Sequence, residues 1–297
     1  MDDKEINIDH LDLFHGGDLY KNEVFEIRRH LYMDPPVIFD IGANVGGFTL
    51  QLSEVFKESL IYAFEPVKET FELLKENTKN LSNVEVFNFG FSDKNEDDVP
   101  VGMPTLPPPP KVSSTPPCED KKSPHNYGRS TVFYDKSLPI VDHIKLVDFA
   151  EWCQFNKTYA DFIKLDVEGC EYSILKNALD NDILHNTHTI YIEINNSPHL
   201  KENSQLSKKL LLEDYNVVGD SGYNKDNEEP LNYIFKRDDT TFVRDLYRNV
   251  LKTEVDDDDE GYNHWLWGLQ LGLRRPTVLE YFLHVASNQI TKEETDQ

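Results

Sequence analysis

Residues 37–50, VIFDIGANVGGFTL, join a short apolar run to a glycine-rich turn and then to an amphipathic pattern. Val37, Ile38 and Phe39, ending in Asp40, read as a strand buried on both faces of a parallel sheet. Gly42, Gly46 and Gly47 follow, and glycine lets a backbone turn through positive φ and approach a ligand without a Cβ. Phe48, Leu52 and Val55 then repeat at i, i+4, i+7, so a helix starts here with its free N–H groups facing the turn. A small ligand is expected on that turn.

The spacing G-x-N-x-G-G differs from the dinucleotide fingerprint G-x-G-x-x-G, because Asn44 holds the second glycine position. A second strand, Leu60 to Phe64, ends in Glu65 at about the distance where nucleotide folds set a carboxylate on ribose hydroxyls. A helix bearing Val67, Phe71 and Leu74 and a third strand over 84–91, VEVFNFGF, complete a β-α-β-α-β series. Nine prolines between Val99 and Pro124 then interrupt it, a segment that suits neither helix nor central strand and reads as a disordered excursion or a lid. Order is expected again at Ser130–Tyr134, with a strand over 140–147, a helix over 149–155, and buried strands over 161–169 and 189–194. A helix near 206–212 and two strands, 215–219 and 231–236, suggest an antiparallel edge on a mostly parallel sheet. From Thr241 onward the stripe Phe242, Val243, Leu246, Tyr247, Val250 and Leu251 predicts a small helical unit, partnered by the apolar cluster between Trp265 and Leu283.

Charge narrows the function. Fifty-four acids against 30 Lys and Arg give −24, which repels phosphate backbones and anionic membranes, so nucleic acid is not an expected partner. Cys118, Cys153 and Cys170 form no C-x-x-C pair, the N-terminal MDDKEINIDH has no apolar core region, and no run approaches the length of a membrane span. These features lead to an expectation of a reducing, cytoplasmic setting.

Taken together, DIGANVGGFT, YAFEPVKETFELLKEN, NFGFSD, YGRSTV and FIKLDVEGCEYSIL resemble, in order, the blocks of the FkbM family of S-adenosylmethionine-dependent methyltransferases. The resemblance implies a class I methyltransferase fold, Rossmann-like, over residues 36–238, with an N-terminal extension at 1–35 and the proline-rich insertion at 99–124. It implies S-adenosylmethionine as cofactor, Gly42, Asn44 and Gly46 at its methionine end with Asp40 beneath, Glu65 on the ribose, and Ser92 and Asp93 near the adenine. The acceptor it implies is a hydroxyl of a sugar, a glycan or a natural product. Residues 240–290 look like a small helical bacterial domain of unknown function, a candidate surface for a protein partner, before a polar tail at 291–297.

For catalysis the expected carboxylates are Asp166, at the carboxyl end of its strand, Glu168 two residues on, and Glu193 near the end of the next strand. Two readings of Glu193 stand, a partner facing Asp166 or a loop cap; Glu171 reads as an acid suited to a helix N-terminus or as part of the site. His188, at the opposite end of its strand, is expected in a turn or at the surface. No His or third ligand is fixed by spacing beside the acids, so no metal is expected. The acidic Asp258 to Gly261 reads as a D-x-x-G calcium loop or as a solvated one. Two alternatives to a methyltransferase remain: an NAD-dependent oxidoreductase, against which Asn44 argues, and a non-catalytic interaction protein that retains the fold.

Overall fold

The computed structural model describes residues 17–31, 35–102, 140–193, 201–223 and 230–295. Most of the proline-rich segment and the stretch 130–134, where order was expected again, lie outside them. A helix, α1 (Gly17–His30), precedes β1 (Val37–Ile41), α2 (Gly47–Val55), β2 (Leu60–Phe64), α3 (Lys68–Thr78), β3 (Val84–Phe87), β4 (Gly90–Ser92) and β5 (Glu96–Gly102). The chain continues through β6 (Ile140–Asp148), α4 (Phe149–Asn156), β7 (Phe162–Leu165), α5 (Glu171–Asp180), β8 (Thr189–Glu193), α6 (Lys201–Leu211), β9 (Tyr215–Tyr223) and β10 (Pro230–Arg237). It closes with α7 (Asp239–Asn249), α8 (Glu260–Gln270) and α9 (Arg275–Thr295).

The main sheet runs β3-β2-β1-β7-β8-β10-β9. Its first five strands are parallel, and β10 is antiparallel to both β8 and β9. This is a mostly parallel, doubly wound α/β sheet with an antiparallel edge, as the strand patterns predicted. The strand expected over 84–91 is instead two. Asn88 donates to the carbonyls of Glu65 and Pro66, both at 3.0 Å, and the chain bends there. The second piece, β4, leaves for a small sheet ordered β4-β6-β5.

Strand β5 also reaches into the proline-rich stretch, pairing Pro100 with His143 and Val101 with Asp142. It is an edge strand, where proline's missing N–H costs no ladder bond. The strands over 215–223 and 230–237 outrun their expected lengths, and α9 continues past residue 290 into what reads as a polar tail.

The sheet is covered on both faces. On one, Phe39, Phe64, Phe87, Phe89 and Phe91 crowd around Trp152 of α4, with the Phe64 and Phe91 ring centroids 4.6 Å apart. On the other, Val24 and Ile27 of α1 and Phe48 and Leu52 of α2 pack with Ile38, Phe162 and Tyr191. The last three helices have a cluster of their own, built on Val243, Leu246, Tyr262, Leu269, Val278 and Phe282.

An ionic knot joins these helices to the sheet. The Asp239 carboxylate accepts from Arg237 at 2.7 Å and Arg275 at 2.9 Å, Arg237 donates to His185 O, and Arg275 donates to Asp238 O. Arg274 lies over the Tyr159 ring. His185, Tyr159 and Asp161 all sit at the amino ends of the parallel strands, and so does His188. Contrary to a surface role, His188 is buried: its N–H bonds Asp161 O and its carbonyl accepts from Arg237 N. Burial lowers its pKa to about 4.

Candidate cofactor and acceptor site

A cleft opens at the carboxyl ends of β1, β2 and β7, the edge where ligands of doubly wound sheets bind. Gly42, Asn44, Glu65, Asp166 and Glu168 line it together. Its apolar walls come from Pro66, Phe91, Ile144 and Leu146.

The turn after β1 is closed against the loop after β7. Gly42 has φ +83°, and a Cβ there would lie 1.8 Å from the Asp166 carbonyl oxygen, so only glycine allows the two loops to touch. Asn44 is also left-handed, with φ +50°. Its N–H donates to one Glu65 carboxylate oxygen at 3.0 Å, while Val67 N–H donates to the other at 2.9 Å. Glu65 therefore pins the turn after β1 and the start of its own loop after β2. Burial raises the Glu65 pKa to about 7 against the opposing pull of those two N–H groups.

Beneath the turn, Asp40, Lys164 and Tyr191 are cross-strand neighbours on β1, β7 and β8. Asp40 is wholly buried; it accepts from the Thr49 hydroxyl at 2.6 Å and lies 3.3 Å from the Lys164 ammonium. Lys164 also donates to Gly42 O at 2.5 Å and stands 3.5 Å from Asp166. The sequence reading gave Lys164 no role, although a lysine inside a buried strand is itself a sign of a paired charge.

Asp166 is a third exposed at its side chain. It shares a hydrogen bond with Glu193, and its charge, then burial, pushes the Glu193 carboxyl pKa well above the usual range. Of the two readings of Glu193, this geometry matches the partner facing Asp166. Glu168 has φ +52° and Gly169 φ +128°, a strained turn for the first of them. Glu171 holds that turn: its carboxylate accepts from Gly169 N at 2.9 Å and Val167 N at 3.2 Å, and burial raises its pKa to about 7.

The remaining expected residues lie apart from the lining. Gly46 backs against Leu74 of α3. Ser92 is buried at the end of β4, donating to Asp93 at 3.1 Å, and the neighbouring Phe91 is the residue that reaches the cleft. The apolar walls on β6 had no local signal, since β6 returns to the cleft only after a long excursion. In the helical unit, Asp259 caps α8 by accepting from Tyr262 N, and among the described residues no cluster of three metal-ligating side chains is present.

Sheet order, strand directions and a cleft at the carboxyl ends define a class I methyltransferase type of α/β domain. Residues 40–216 match the methyltransferase FkbM domain, and the chain belongs to that family. Methyltransferase 1 of Beauveria bassiana is 28% identical over 156 residues, which is 50% of this chain and 61% of that protein. The chain thus spans about three fifths of the length of this curated relative. Among solved structures, fibrillarin from Aeropyrum pernix, in complex with natively bound S-adenosyl-L-methionine, aligns with a TM-score of 0.40 at 10% identity, covering 74% of this chain and 76% of that one. An rRNA methylase from Streptococcus thermophilus aligns with a TM-score of 0.38 at 10% identity, covering 73% and 94%.

Proposed function

We propose that the protein is an S-adenosylmethionine-dependent O-methyltransferase whose acceptor is a hydroxyl of a sugar, a glycan or a natural product. The observation that carries this reading is the convergence of Gly42, Asn44, Glu65 and Asp166 on one cleft inside the family-matched segment. The cleft suits the cofactor. Its apolar walls accept a flat base, and Glu65 keeps acceptor capacity for ribose hydroxyls beyond its two N–H bonds.

When bound, S-adenosylmethionine supplies a methyl carbon whose bond pair returns to the sulfonium sulfur as the acceptor oxygen attacks. The protein's part is to hold that line and to receive the acceptor's proton. Holding alone contributes about 7–11 kcal/mol in well-aligned reactions. Asp166, exposed to the cleft, takes the proton; Glu193, which shares a hydrogen bond with Asp166, orients it, and Glu168 contacts the acceptor from the strained turn. Excess negative charge on the chain favours acceptors without phosphate, so nucleic acid is not among those proposed. The setting proposed is cytoplasmic; among the described residues no helix is long and apolar enough to cross a membrane.

Calorimetric titration of S-adenosylhomocysteine and NAD into wild type and Glu65→Ala tests the cofactor class. Micromolar binding of the first, lost in the variant, supports the reading, and binding of NAD alone overturns it. A panel of neutral glycosides with labelled methyl donor follows; Asp166→Asn should then lose transfer by at least about a hundredfold, with S-adenosylhomocysteine binding retained.

A further inference from the structure

The side chain of Lys164 is only 4% exposed, and its residue lies in register with Asp40 of β1 on one side and Tyr191 of β8 on the other. Two residues further along, the same two chains reach Gly42 and Asp166, packed so closely that a Cβ on Gly42 would lie 1.8 Å from the Asp166 carbonyl oxygen. Backbone bonds hold this junction: Gly42 N–H donates to Phe64 O at 3.0 Å, and Asp166 N–H to Ile41 O at 3.1 Å. They leave the Asp166 carboxylate itself untouched. The lysine stem rises along the step instead, so that its ammonium donates to Gly42 O at 2.5 Å and lies 3.5 Å from that carboxylate and 3.3 Å from Asp40. Three oxygens thus match the three donors of the ammonium. Charge balance in the core needs only Lys164 and Asp40; the reach to Gly42 O and Asp166 goes beyond it.

From this arrangement we infer that Lys164 is a positioning residue, whose ammonium ties the turn that receives the cofactor to the carboxylate that receives the acceptor's proton and so fixes the distance between the two subsites. The inference rests on the reading of the cleft given above. In-line transfer demands such a fixed distance, because a misplacement of about 1 Å can lower the rate about a hundredfold. A lysine suits this task, being a compact point charge whose three donors turn freely on a long stem.

The charge of Lys164 also reaches the neighbouring acids. Burial raises Glu65 to about 7, Asp166 pushes in the same direction, and the N–H groups of Val67 and Asn44 together with the Lys164 ammonium pull it down. At Glu193, Asp166, burial and Glu168 raise the pKa and Lys164 lowers it. Removing the ammonium should therefore shift the ionisation of Glu65 to higher pH, a change that lost packing alone does not produce.

The test is calorimetric titration of the full chain with S-adenosylhomocysteine from pH 6 to 9, in wild type, in Lys164→Met, and in the double variant Asp40→Asn, Lys164→Met, which removes both members of the buried pair and leaves no lone charge. In the variants, affinity on the high-pH plateau should fall about tenfold or more, and the pH at which the plateau is reached should rise by about half a unit or more. A plateau within about threefold of wild type, or an unmoved midpoint, in a variant that melts cooperatively overturns the inference and leaves the cofactor reading standing. Where neither variant melts cooperatively, or wild-type affinity is flat in pH, nitrogen NMR of lysine-labelled wild type and Asp166→Asn decides. The buried ammonium of Lys164 should give a slowly exchanging signal at pH 7 that moves both on saturation with S-adenosylhomocysteine and on loss of the Asp166 charge; a signal that fails to answer to either change overturns the inference. Wild type that melts cooperatively and binds no S-adenosylhomocysteine overturns the cofactor reading along with it.

Discussion

Glu65 gathers two backbone N–H groups and yet keeps its proton to about pH 7, because burial outweighs those bonds. In the role proposed for Glu65, ribose hydroxyls donate to the ionised carboxylate, so ligand binding must expel the proton wherever it is still present. Affinity for S-adenosylhomocysteine should therefore rise from pH 6 to 7, by up to about tenfold per unit, and level off above. Titration at pH 6, 7 and 8 checks this, and Glu65→Gln should bind weakly without that slope; a wild-type affinity flat in pH would take Glu65 off the ribose. Gly42→Ala tests the closure of the two loops. A Cβ there collides with the Asp166 backbone, so the loops must part, and binding should fall at least about tenfold in a protein destabilised by about 1–3 kcal/mol. Melting and calorimetry on the same sample separate the two effects.

At the scale of elements, the joint between the sheet and the last three helices depends on one carboxylate. Asp239→Ala leaves Arg237 and Arg275 buried side by side without their shared anion, and it should cost about 3–5 kcal/mol in a denaturant titration. An effect below about 1 kcal/mol would mean that water replaces the carboxylate. The order of strands and helices was legible because its signals are local: an apolar run before a glycine turn, the acid after the second strand, the stripe from Phe242 to Leu251. What escaped was set by partners distant in sequence. The bend at Asn88 depends on carbonyls some twenty residues earlier, and Pro100 is tolerated only because its strand lies at an edge. The site divides in the same way. Gly42, Asn44, Glu65, Asp166 and Glu168 stand at strand ends and meet through the sheet's own geometry. Lys164, Tyr191 and the walls at Ile144 and Leu146 gain their roles from cross-strand register and a second sheet, which no spacing announces.

Over the whole molecule, protonation sets a slope of stability against pH. Glu65 and Glu171 have folded pKa values near 7, above the unfolded range, so each stabilises the ligand-free fold fully below about pH 4.5 and loses that contribution as pH rises to 7. His188 acts oppositely: its folded pKa of about 4 means stability is present above about 6.5 and lost as pH falls through that window. Two acids against one histidine, together with a net charge of −24, predict a higher melting temperature at pH 6 than at pH 8 without ligand. The double variant Glu65→Gln, Glu171→Gln should flatten that difference, and a wild-type curve that rises with pH would contradict the assignment. The joint at Asp239 has a consequence for how the molecule can be used. It clamps the last helices to the amino ends of the parallel strands, while the cleft opens at their carboxyl ends. A surface or scaffold that grips this handle leaves the mouth facing solution, so a protein immobilised through α9 should take up its ligand as readily as one that diffuses freely.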